Sequence, residues 1–151
     1  MKILIYTFRS TLFIKMINKV VNKEIYILSK INNDLEKFYK IILINKPTFI
    51  LGLAKTNKNY SQFEKYTFNK FGKDRVLIKN GIYKYKLYIP SGVTKLNFHI
   101  NCNIINPSFC NLSAYKISSF LQREKLDTKL IFLHIREEDI NKLNLIISIL
   151  K

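Results

Sequence analysis

A cysteine and a histidine in this 151-residue chain lie where a thiol hydrolase would use them. Cys110 falls in Asn106-Pro107-Ser108-Phe109-Cys110-Asn111, which reads as the opening turn of a helix. Pro107 suits that first turn, where its missing N–H costs nothing. A helix N-terminus favours thiolate over thiol, because its unpaired N–H groups and the helix dipole stabilise negative charge. His134 closes the apolar run Leu130-Ile131-Phe132-Leu133, which reads as a buried strand. A His at the carboxyl end of a strand lies on the edge where open α/β sheets place their sites. Alone, the pairing is not specific. Such a Cys is usually a small buried hydrophobe, and such a His a satisfied core histidine.

The elements that must position these residues alternate between helical and strand patterns. Residues 2–7 read as a buried strand, and Thr11 to Val21 carries Leu12, Met16 and Val20 at helical spacing. Glu24 to Leu28 is a strand. Asn33-Asp34 caps a helix that turns Leu35, Phe38, Tyr39 and Ile42 inward and ends at Pro47. Thr48 to Leu53 is a strand, and Phe63 to Phe71 an extended stretch of ambiguous period. Arg75–Lys79, Asn80-Gly81 and Ile82–Tyr88 read as a hairpin with a type I′ turn. Leu96 to Asn103 is a strand, about Pro107 to Glu124 a helix, and Lys129 to Ile135 a strand. A last helix runs from Glu137-Glu138-Asp139 to Lys151, the acids complementing its N-terminus. The predicted fold is a three-layer α/β/α sandwich with a mixed, mostly parallel sheet, in one domain over residues 1–151.

Composition bounds the function classes. The hydrophobic fraction of 48%, with eleven Phe and nine Tyr, excludes a disordered chain. No run approaches the roughly 18 apolar residues a spanning helix needs, so no membrane partner is expected. Met1-Lys2-Ile3-Leu4-Ile5-Tyr6 reads as a strand without a signal-peptide cleavage site, and two cysteines make no disulfide framework. A reducing cytoplasm is the expectation. The net charge of +16 points first to polyanions. Yet its lysines form no block, and with Ile and Asn they follow A/T-rich codons, so dedicated nucleic-acid binding is not expected. Tyr83, Tyr85 and Tyr88 interleave with Lys84 and Lys86, which suits base stacking but equally an amphipathic strand. Two Cys and two His lack the paired spacings of zinc sites, so no metal is expected. His99 and Cys102 are read as structural.

The flanks of Cys110 and His134 resemble those of the pyroglutamyl peptidases (pyrrolidone-carboxylate peptidases). Lys2-Ile3-Leu4-Ile5-Tyr6-Thr7-Phe8 resembles the family's first strand and Phe-containing turn, and Pro47 to Ala54 its Pro, strand and Gly-x-Ala. Glu64-Lys65-Tyr66-Thr67-Phe68-Asn69 follows a Glu-Arg-x-Ala-x-Asn pattern, with Lys for Arg and Thr for Ala. Cys102-Asn103-Ile104-Ile105-Asn106-Pro107-Ser108-Phe109-Cys110-Asn111 follows Ser-Asn-x-Ala-Gly-x-x-x-Cys-Asn, keeping the first Asn and the Cys-Asn. Phe132-Leu133-His134-Ile135 follows Phe-x-His-(Val/Ile), at the family's own separation from the Cys. The motifs are short, but their order and spacing agree.

The resemblance implies a cofactor-free cysteine peptidase that removes an N-terminal pyroglutamyl residue from peptides. Cys110 would be the nucleophile, His134 the base and then acid, and Glu64 the carboxylate that orients the imidazole. Backbone N–H groups at the helix start would form the oxyanion hole. Phe8 and Phe13 would line the pocket for the lactam ring, and Arg75 would stand for an Arg that the family places after the Glu motif. The implied partner is a peptide with N-terminal pyroglutamate, with a homo-oligomer left open. The chain departs from the family at Phe8-Arg9-Ser10-Thr11-Leu12, which lacks a Pro, a Gly and a second Phe. It departs also at Lys55-Thr56-Asn57-Lys58, at Ile135-Arg136 and in the shorter stretch from Glu64 to Cys110. Those losses fall on pocket loops and assembly segments. A catalytically silent homologue serving as a binding or assembly module therefore stays open, as does a basic nucleic-acid-binding protein.

Overall fold

Three apolar runs, each too continuous for a half-exposed strand, make the spine of the sheet. The computed structural model describes residues 2–103 and 107–150, so Ile104, Ile105 and Asn106 of the Cys110 motif lie outside the described residues, as does Lys151. In chain order the elements are β1 (Ile3–Phe8), α1 (Thr11–Val20), β2 (Ile25–Leu28), α2 (Ile31–Asn45), β3 (Phe49–Lys55) and β4 (Gln62–Glu64). There follow β5 (Tyr66–Phe68), β6 (Lys84–Lys86), β7 (His99–Asn101), α3 (Phe109–Arg123), β8 (Lys129–Ile135) and α4 (Leu143–Ile149). The main sheet has the order β2-β1-β3-β8-β4-β7. Its neighbours are parallel except β4 and β8, which run antiparallel. β5 and β6 form a separate antiparallel ribbon.

Alternation along the central strands builds two cores. Ile5, Leu51, Phe63, Ile131 and Leu133 face Phe13 and Ile17 of α1 and Ile146 of α4. Leu4, Tyr6, Ile50 and Phe132 face Leu35 and Phe38 of α2 and Ile117 of α3. The result is the α/β/α sandwich with a mixed, mostly parallel sheet that the patterns predict. On the second face Tyr6 and Phe132 close over Gly52. A Cβ there would lie 2.6 Å from both rings, so the position admits glycine alone without repacking.

Several local expectations are corrected. Arg75–Lys79 is not a hairpin strand; only Phe71 and Arg75 bridge. Asn80 has φ +58° but Gly81 is not left-handed, whereas a type I′ turn needs both. The segment is instead captured from outside. Asn69 accepts from the N–H groups of Leu77 and Ile78 and donates to the Ile78 carbonyl, while β6 pairs with β5. Asn33-Asp34 lies inside α2, which starts at Ile31; the Asp34 carboxylate reaches back to the N–H groups of Ser29 and Lys30, both at 2.7 Å. Pro107 precedes the α3 cap, Ser108, instead of occupying the first turn. Leu96 ends a 3-10 turn from Val93, and left-handed Asn97 delays β7 to His99. Glu137–Lys142 is likewise a 3-10 segment before α4, and its acids pair with Lys55, Arg136 and Lys142.

Candidate active site

Cys110 is the second residue of α3. The Ser108 hydroxyl accepts from its N–H at 3.4 Å, and no acidic residue occupies the first turn to oppose the positive end of the helix. Asn111, the next residue, is buried and acts as a clamp. Its Oδ1 accepts from the Thr67 hydroxyl and the Phe68 N–H, both at 2.8 Å, and its Nδ2 donates to the carbonyls of Phe68 (2.9 Å) and Lys70 (2.7 Å). The start of α3 is thereby fixed against the β5–β6 ribbon. The Ser113 hydroxyl donates to the Cys110 carbonyl and meets the Tyr6 hydroxyl, whose proton burial makes harder to lose.

His134 is the sixth residue of β8 and pairs in register with Ala54 of β3 and Gln62 of β4. Leu133 and Ile135 belong to the first core, so the intervening His134 projects to the α3 face. Phe63 likewise faces the first core, which turns Gln62 and Glu64 to the face of His134. Glu64 is 4% exposed. Its Oε1 lies 2.8 Å from His134 Nδ1, which leaves the other ring nitrogen for the cleft that Cys110 also borders. Burial alone would pull the imidazole down. Interaction with Cys110 and with the hydrogen-bonded Glu64 carboxylate overcomes that and raises His134 from 6.5 to about 9.

The three residues border a cleft of about 600 Å³ whose wall includes Lys58, Tyr66, Asn101 and Phe132. A second hollow, about 270 Å³ and mostly apolar, opens on the other side of Cys110 and is lined by Thr7, Phe8, Phe13 and Ala54. Phe8 and Phe13 thus reach the site. Arg75 does not: it is exposed at its bridge to Phe71 and borders neither hollow. His99 packs on the Tyr60 ring and Cys102 is exposed, both away from the two hollows. Gln62, Asn101 and Asn111 carry roles that the motif reading did not assign. For Gln62 the available signal was its i, i+2 spacing to Glu64, which on a strand means one face. Among the described residues no three His, Cys, Asp or Glu side chains gather as a metal site, and no helix is long and apolar enough to cross a membrane.

The class these features define is an α/β/α sandwich with thiol, imidazole and carboxylate around one cleft beside its central sheet. Solved structures with this fold are pyrrolidone carboxyl peptidases. One from Thermococcus litoralis superposes with a TM-score of 0.74 at 15% identity, covering 90% of this chain and 77% of that one. A variant of the Pyrococcus furiosus protein gives 0.81 at 12% identity, over 99% of this chain and 97% of that one. A further P. furiosus structure gives 0.74 at 15%, over 95% and 86%. The chain has the pyrrolidone carboxyl peptidase fold. No family model matches the sequence. No curated protein matches it either.

Proposed function

We propose that this protein is a cysteine peptidase that removes an N-terminal pyroglutamyl residue from peptides, using Cys110, His134 and Glu64. The observation that carries the reading is His134, which is hydrogen-bonded through Nδ1 to a buried carboxylate and shares one cleft with Cys110. The fold shared with pyrrolidone carboxyl peptidases supplies the substrate class.

The chemistry runs through the thiol and the imidazole. His134, raised to about 9 by its partners, is the base that takes the thiol proton of Cys110 and holds it. The thiolate attacks the carbonyl that joins the pyroglutamyl ring to the next residue, and the carbonyl oxygen becomes an oxyanion facing the N–H groups at the start of α3. His134 gives its proton to the leaving amine, and an acyl-enzyme remains. Water then adds to the thioester with His134 as base, releasing pyroglutamate and restoring the thiol. Glu64 holds the Nδ1–H tautomer and keeps the second ring nitrogen toward sulfur. The lactam ring fits the hollow of Phe8 and Phe13, and the peptide leaves through the larger cleft. A reduced thiol makes a reducing compartment the natural setting.

The test is release of a fluorescent amine from a pyroglutamyl amide under reducing conditions. Turnover that disappears in Cys110→Ala supports the reading. A folded wild type that neither turns over nor reacts with iodoacetamide at Cys110 overturns it in favour of the silent homologue.

A further inference from the structure

We infer that Gln62, Asn101 and Lys58 are positioning residues for Glu64, and through it for the imidazole; the inference rests on the Cys110–His134–Glu64 reading. A buried carboxylate is tolerable only when its oxygens are hydrogen-bonded. Glu64 has a donor on each oxygen besides His134: Gln62 Nε2 at 2.7 Å from Oε1, and Asn101 Nδ2 at 2.8 Å from Oε2. Oε1 is thus shared between Gln62 and His134, so the Gln62 amide sets where the acceptor of the imidazole sits. Gln62 is itself buried and lies directly across from His134 in the β4–β8 register.

The direction of that amide is decided at its far end. Gln62 Oε1 accepts from the Lys58 ammonium at 3.0 Å. An ammonium only donates and a carboxylate only accepts, so the amide has one orientation, oxygen to Lys58 and nitrogen to Glu64. The ammonium also polarises the amide and strengthens its N–H donor toward the carboxylate. Lys58 thereby fixes, across two hydrogen bonds, the oxygen that receives the His134 Nδ1 proton. The motif resemblance covers none of these three side chains; their role comes from register and donor arithmetic alone.

The experiment compares Gln62→Leu, Asn101→Leu, Lys58→Met and Lys58→Arg with wild type. It reads kcat and KM on the pyroglutamyl amide, iodoacetamide reactivity of Cys110 at neutral pH, and the NMR resonance of the His134 Nδ1 proton. Gln62→Leu should lower kcat about tenfold with KM little changed, the size expected for one hydrogen bond to a charged group. It should also slow alkylation and broaden the Nδ1 proton. Lys58→Met should cost about threefold in kcat, with Lys58→Arg restoring it, because the amide is then free to rotate. Lys58 is exposed, so this pair stays informative if Gln62→Leu does not fold. Wild-type kcat, alkylation and Nδ1 resonance in folded Gln62→Leu and in Lys58→Met would overturn the inference. If wild type itself does not turn over, the substrate reading fails alone. Alkylation and the imidazole resonance then still decide the positioning role in the same directions.

Discussion

Replacing Glu64 by Gln removes the negative charge behind His134 while preserving shape, and its consequences can be worked out from the hydrogen bonds. Oε1 accepts from two donors, Gln62 Nε2 and His134 Nδ1, and Oε2 from one, Asn101 Nδ2. The new NH₂ therefore goes to the Oε2 side, where Asn101 can rotate its amide. The cost is its 3.3 Å bond from the Asn103 N–H. The fold survives and the charge does not. His134 is raised from 6.5 to about 9 against the pull of burial, with Cys110 contributing ahead of Glu64. Loss of the carboxylate should therefore lower the imidazole. The raised value also makes a stability statement. The folded state holds the proton more tightly than an unfolded histidine near 6.5, so the imidazolium stabilises the fold below that pH. The contribution is lost as pH rises through about 9. The assay is NMR titration of the imidazole protons, with His99→Gln to assign the second histidine, alongside urea unfolding from pH 6 to 10. Wild type should titrate near 9 and lose stability across pH 7–9, and Glu64→Gln should titrate lower with a shallower loss. A wild-type His134 that titrates near 6.5, or an unchanged value in Glu64→Gln, would refute the electrostatic account.

Three other substitutions probe the frame. Asn111→Ala removes the side-chain hydrogen bonds to Thr67, Phe68 and Lys70, leaving Thr67 its bond to the Asn111 carbonyl, and should cost about 3 kcal/mol in urea unfolding. Cys110 alkylation should slow with it as the start of α3 loosens. Gly52→Ala drives a methyl into Tyr6 and Phe132 and should destabilise by about 2 kcal/mol, read as a lower thermal midpoint. Phe8→Ala widens the apolar hollow beside Cys110 and should raise KM for a pyroglutamyl amide about tenfold, with far less effect on iodoacetamide reactivity. An unchanged KM would place the lactam ring elsewhere.

Where hydrophobic period and local chemistry agreed, the sequence was legible. β8 was predicted at its observed ends, because the apolar run Leu130–Leu133, buried on both faces, admits little else. The thiol and imidazole were legible for the same reason, each at the end of a strongly patterned element. Failures came where a distant side chain overrode a local signal. Asn80-Gly81 is a good hairpin turn in isolation, but Asn69 occupies the backbone groups that a hairpin would pair. Asp34 looks like a cap inside the helix and acts as one from the opposite direction, four residues past Lys30. Gln62 and Asn101 were not legible as partners of Glu64, since their proximity depends on strands paired from separate parts of the chain. Arg75 was assigned by analogy of offset, and its segment follows the Asn69 clamp away from the cleft.

The residue that decides whether the carboxylate meets the imidazole is one that touches neither. β4 is three residues long, and only its middle side chain, Phe63, enters the first core. Fully buried and opposite Leu133, Phe63 locks the register that sets Gln62 across from His134. Strand alternation then throws Gln62 and Glu64 to the α3 face, and Glu64 reaches His134 on the diagonal. A slip of one residue would put both polar side chains among Ile5, Leu51 and Leu133 and leave Phe63 facing the thiol. That alternative buries a carboxylate and an amide without partners, at several kcal/mol each. The same apolar contact that stabilises the sheet thus selects the one pairing in which the acid lies behind the histidine. It also explains how so short a strand, antiparallel to its neighbour, can hold a charged group where the parallel strands end.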